Sequence, residues 1–93
     1  MASCKVITIW RCKTIDDALK IRESYRNQLE DIEKLVVDLQ HLNRKKPDRL
    51  LIGVLLNLRR YAGEHLSISL HFYPDYLPSV FRICKINHLF HWP

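Results

Sequence analysis

The chain has 93 residues, an apolar share of 47%, a formal net charge of +5 and only two glycines. That length supplies one domain with a core that needs no disulfide or metal staple. The composition argues against wholesale disorder, and two glycines leave no Gly-rich loop to cradle a nucleotide phosphate.

Residues 6–10, Val-Ile-Thr-Ile-Trp, form a β-branched and aromatic run that predicts a first strand. The period then changes. Thr14 followed three residues later by Asp17 resembles a capping box with Asp in place of Glu. Ile15, Ala18, Leu19, Arg22, Tyr25 or Arg26, Leu29 and Ile32 fall near one face of a helix, which predicts an amphipathic helix with that face inward. Residues 34–39, Lys-Leu-Val-Val-Asp-Leu, hold a short continuous apolar run, as expected for a strand buried on both faces.

A polar loop follows, in which Arg44, Lys45, Lys46 and Arg49 crowd together. Pro47 disfavours helical geometry at the residue before it. Asp48 is the expected N-cap of a helix beginning around Arg49. Leu51, Val54, Leu55, Leu58 and Ala62 recur at helical spacing, and Gly63 is placed to stop that helix. Leu66, Ile68 and Leu70 alternate as a third strand does. After a turn at Tyr73-Pro74-Asp75, the residues Leu77, Val80, Phe81 and Cys84 make a third helical stripe, and the tail carrying Phe90 and Trp92 is apolar enough to pack. The order β-α-β-α-β-α predicts a small single-domain α/β layer structure over residues 1–93, with a mostly parallel sheet joined by right-handed crossovers.

The three cysteines, Cys4, Cys12 and Cys84, are an odd count with no Cys-x-x-Cys spacing, so they read as free thiols in a reducing compartment. The longest uncharged apolar run, residues 50–56, falls far short of the ~20 residues that cross a bilayer. The N-terminal stretch lacks a signal-peptide apolar region, and the expectation is a soluble cytoplasmic protein.

With that order in hand, the chain resembles a STAS domain, the module named for sulphate transporters and anti-sigma factor antagonists. The residues that carry the resemblance are the strand end Val36-Val37-Asp38-Leu39 and the helix opening Asp48-Arg49-Leu50-Leu51-Ile52-Gly53. The stretch from Arg59 to Ile68, with its glycine before a strand, and the Leu89-Phe90 ending fit too. The similarity runs from about Ile7 to Phe90. Four departures stand out. Arg49 occupies the position of the family's phosphorylatable Ser or Thr, and Leu51 that of its first glycine. The loop from Leu42 to Asp48 is longer and more basic, and there is no room for the extra strand the family carries ahead of residues 6–10.

The resemblance implies a bacterial, non-catalytic regulator that binds a kinase-like anti-sigma factor. In the family, a phosphate at the serine adds about −1.5 to −2 charge at a packed interface and releases the partner. Arg49 cannot accept a phosphate there. The contact surface the resemblance implies comprises Lys45, Lys46, Asp48, Arg49, Leu50, Ile52 and Gly53, with Asn57 and Arg60 on the second helix. A second reading within the family is an accessory subunit that binds the ATPase of a lipid-transport ABC system. The reading also allows a weak homodimer.

The residues leave other roles open. Asp48 serves equally as a cap and as part of a partner-binding loop, Arg49 as a solvated side chain or a contact to an acidic partner, and Gly53 as a close-packing residue or an approach point. A sequence pI of about 9.3 and the basic loop would suit nucleic-acid phosphates. Against that reading, the following helix is too apolar for a groove and no aromatic residues interleave with the cations. His88, His91 and Cys84 lack a recognised metal-ligand spacing. No Gly-x-Ser-x-Gly elbow or phosphate loop is present, and the expectation is no enzyme, metal or cofactor.

Overall fold

A computed structural model describes residues 3–93. Three strands, β1 (Cys4–Thr8), β2 (Lys34–Asp38) and β3 (Ser67–His71), alternate with three helices, α1 (Ile15–Tyr25), α2 (Leu51–Ala62) and α3 (Leu77–Ile83). The sheet is parallel throughout and its order is β1-β2-β3. A 3₁₀ turn, Asn87–Leu89, leads into the tail. There His91 bridges β3, donating its N–H to Ile68 O at 2.8 Å and accepting from Leu70 N at 2.9 Å. This is the α/β order that the alternation of patterns predicts.

Sequential strands joined by right-handed crossovers carry their connecting helices on the same face of the sheet. Ile7, Leu35, Val37, Ile68 and Leu70 project to that face and share one core with Ile21 of α1 and Leu51, Leu55 and Leu58 of α2. The tail extends it. Phe90 and Trp92 flank His91 and set their rings 5.6 and 5.3 Å from Phe81 of α3. All three helices therefore cover one face, and the molecule has two layers.

The other face carries no helix and is open over β1 and β2, although Ser69 on β3 is buried, which corrects the expectation that the second strand is buried on both sides. Leu35 and Val37 are fully buried, while Lys34 is exposed and Val36 and Asp38 are only half-buried. On β1 the strand begins at Cys4 and ends at Thr8, earlier than residues 6–10, and Val6 on the open face is 61% exposed.

Helix α1 differs from the sequence expectation in phase and length. It stops at Tyr25, with Leu29 buried from the loop beyond, and its inward stripe is Asp17, Ile21 and Tyr25. Ile15, Leu19 and Arg22 lie outside the core. The capping box explains the phase. The Thr14 hydroxyl accepts from Asp17 N at 3.2 Å, and the Asp17 carboxylate accepts from the backbone N–H of Lys13 at 3.0 Å and of Thr14 at 3.2 Å. Arg11 Nε adds an ion pair at 3.0 Å. Once Asp17 is turned onto the backbone, residues four and eight positions later must face inward with it. In α3, Leu77 and Phe81 supply the buried contacts, whereas Cys84 is exposed at the helix end.

The Lys13 N–H, followed by the Arg11 pairing and the Thr14 N–H, holds the Asp17 carboxyl below its ordinary value of 3.8. A carboxylate whose folded pKa is depressed contributes stability that is complete above its unfolded pKa and is lost as pH falls through the folded one. Chemical denaturation should find Asp17→Asn less stable than the parent near neutral pH. That gap should narrow from about pH 4 downward; a gap independent of pH would assign Asp17 a purely geometric role.

Candidate functional site: the open end of the second helix

Parallel α/β sheets place their functional loops beyond the carboxyl ends of the strands. Here those loops are residues 9–14, 39–50 and 72–76. Asp48 joins the first two. Its buried carboxylate accepts the backbone N–H of Cys12 at 2.7 Å, and Leu50 N donates to Cys12 O at 3.0 Å. The side chain of Asp48 thus clamps one loop to another and does not cap α2, which begins at Leu51 after Leu50 with no side-chain cap. The short distance available between the loops, invisible in the local pattern, redirects the carboxylate.

The basic loop is also held in place. Arg44 donates to the carbonyls of Phe72 and Tyr73 at 2.8 and 3.1 Å, and the Tyr76 hydroxyl lies 2.7 Å from Asn43 O and 3.0 Å from Lys46 O. Arg59, at the far end of α2, donates to the carbonyls of Gly63 and Leu66, the latter at 2.7 Å. Arg44 of the crowded loop and Arg59 are therefore structural. Lys45, Lys46, Arg49 and Arg60 remain exposed, and none of them forms an ion pair among the described residues.

Of the residues singled out from sequence, Gly53, Asn57 and Arg60 line up along the exposed side of α2, and Arg49 is exposed in the turn just ahead of it. A Cβ at Gly53 would meet nothing within 4 Å, so neither tight packing nor close approach within the chain requires glycine there. Leu50 is half-buried and Ile52 packs partly against the core. Lys45 and Lys46 sit on the pinned loop, apart from the residues that line the helix groove described next.

Between α1 and α2 runs an open groove of about 560 Å³, lined by Ile15, Leu19, Arg22, Val54, Asn57 and Arg60, with Tyr61 at one end. Ile15 is 73% exposed and Leu19 49%. A second concavity shares Ile15 and joins Lys13, Thr14 and Asp16 to Arg49 and Leu50. Tyr61 ties the helices together: its hydroxyl accepts Asn27 N–H at 2.6 Å and its ring meets Tyr25 edge-on at 5.3 Å. The surface is an apolar strip bordered by Arg22, Arg49 and Arg60. Sequence reasoning assigned Ile15, Leu19 and Arg22 to the core side. The available signal was that α1 carries two apolar stripes, and one domain core needs only one of them.

Ser69, His71 and Asp38 are neighbours by strand register on the open sheet face. Ser69 Oγ and His71 Nε2 are buried and have no hydrogen-bond partner among the described residues, so no base among them is placed to activate the hydroxyl. Among the described residues no group of three or more His, Cys, Asp or Glu is assembled for a metal ion, and no helix is long and apolar enough to cross a membrane. Comparison with protein-family models, curated proteins and solved structures finds no match to this chain.

Replacing Asp48 with Ala leaves the Cys12 N–H without its acceptor in a buried setting, a change that typically costs about 1–3 kcal/mol. Asp48→Asn keeps a carbonyl acceptor and should lose less; denaturant titration of the two variants separates them. Burial, followed by the nearby charges of Asp48 and Asp17, pushes the Cys12 thiol up to about 11. An aromatic disulfide reagent should therefore label the exposed Cys4 and Cys84 in the native protein, and Cys12 only after unfolding.

Proposed function

We propose that this chain is a non-catalytic regulator that works by binding another protein, using the outer side of α2 and the groove it forms with α1. The observation that carries this reading is the pairing of exposed apolar Ile15 and Leu19 with Arg22, Arg49 and Arg60, none of them in an ion pair among the described residues. Apolar area bordered by cations that outnumber the single acid beside them, Asp16, suits an acidic, amphipathic protein surface.

The sequence resemblance to anti-sigma factor antagonists supplies the class of partner, a kinase-like anti-sigma factor. In that setting Arg49, exposed just ahead of α2, holds a permanent positive charge where the family toggles between neutral and phosphorylated serine. Binding then proceeds without a phosphorylation cycle at this position. The same feature supports the second reading, an accessory subunit for the ATPase of a lipid-transport ABC system, since that role needs no such cycle. Nucleic acid is the weaker candidate, because Arg44 and Arg59 spend their donors on backbone carbonyls and thin the cationic surface.

The test is affinity capture of the tagged protein from its host, followed by titration of the identified partner against variants. Arg60→Glu should weaken binding about tenfold, and Arg49→Ser should alter it with the fold intact. A kinase-like anti-sigma factor or a transporter ATPase decides between the two readings. Affinity unchanged in both variants would remove the α2 surface from the interaction.

A further inference from the structure

Parallel sheets occur almost only with both faces covered. Here the helices occupy one face, and the other presents three short rows across the strands: Cys4–Lys34–Ser67, Val6–Val36–Ser69 and Thr8–Asp38–His71. The middle row runs from exposed Val6 through half-buried Val36 to Ser69, which is itself buried with its hydroxyl unpartnered among the described residues, and continues to exposed His91 of the tail bridge. Exposed Trp10, stacked on His41 with ring centroids 3.6 Å apart, stands beyond the carboxyl end of β1.

We infer that this bare face is a self-association surface on which two copies pack sheet to sheet, strands antiparallel, about a two-fold axis running along the Val6–Val36–Ser69 row. The charge pattern selects the occupant and its orientation. Lys34 and Asp38 lie two residues either side of Val36, about 13 Å apart on the same face. Rotation about that axis sets Val36 against Val36 and places Lys34 of each copy over Asp38 of the other. An isologous contact makes both ion pairs at once. The alternative axis, along the strands, sets Lys34 over Lys34 and Asp38 over Asp38, and is disfavoured by like charge.

A different partner has less to recognise here. The chain carries +5 overall, but the fixed charges on this face are one lysine and one aspartate, so it neither attracts an acidic surface nor repels its own copy. The patch measures roughly 14 by 17 Å from strand spacing and rise, well below the ~800 Å² per partner of a stable complex. The dimer is accordingly weak and forms by mass action, and the α1/α2 groove on the opposite side stays free in it.

Sedimentation velocity from about 10 μM to about 1 mM, a range suited to a small interface, should show a concentration-dependent monomer–dimer equilibrium. Val36→Glu should lower the association constant at least about tenfold by burying a charge at the axis. Far-UV circular dichroism and thermal melting establish that the variant remains folded. The orientation has its own test: Lys34→Glu and Asp38→Lys should each be monomeric alone and should associate when mixed, because the mixed pair restores opposite charges at both ends. A parent chain that stays monomeric throughout overturns the proposal. So does a dimer indifferent to Val36→Glu, or charge variants whose mixture associates no better than either alone.

Discussion

The constraint from which the rest of the molecule follows is that every connection between strands passes over the same face of the sheet. With strand order β1-β2-β3 and a short chain, α1 and α2 must lie side by side, and α3 and the tail extend the same layer. Three consequences are built in. Leu35, Val37, Ile68 and Leu70 receive a complete apolar cover. Two neighbouring helices leave a groove between their outer surfaces. The opposite face of the sheet receives no helix, and on it Val6, Lys34 and Ser67 stay exposed while Ser69 is buried.

Buried polar groups hold this arrangement at its loop end. Asp17 and Asp48 are both buried acids, and each is satisfied chiefly by backbone N–H groups of residues 12–14. Such bonds charge-stabilise a turn that a neutral side chain would leave with unmet donors. One acid fixes the phase of α1 and the other fixes the approach of the β2–α2 loop, so the two together determine which side of each helix faces solvent. Arg44 and Tyr76 do comparable work for the loop that carries Lys45 and Lys46. The candidate partner surface is thereby preorganised, which lowers the ordering cost of any association it supports.

The two proposed surfaces differ in physical character. The helix side combines exposed Ile15 and Leu19 with Arg22, Arg49 and Arg60, a combination that favours an unlike, acidic partner. The sheet side is balanced in charge and matches its own two-fold image. Because they occupy opposite layers, occupation of one does not obstruct the other, and a regulator built this way can present two partner-binding sides when paired.

The sequence by itself determined the alternation of strands and helices, the Thr14–Asp17 box, the Gly63 stop and the packing of the Phe90–Trp92 tail. Each of these rests on a periodicity, a turn residue or a neighbour within a few positions, and such signals are local. It also named Gly53, Asn57 and Arg60, which the structure places along one exposed side of α2, and Arg49, exposed in the turn ahead of it. Tertiary structure alone decided the destination of the Asp48 carboxylate, because its partner is the N–H of Cys12, 36 residues away in the chain. It alone decided which of two apolar stripes on α1 is core, since Ile15–Leu19 and Ile21–Tyr25 are alike in composition and differ only in what lies opposite. The open sheet face was likewise hidden: Leu-Val-Val in β2 reads as buried on both sides, and Val36 is left partly uncovered because all three helices pack on the face that Leu35 and Val37 share.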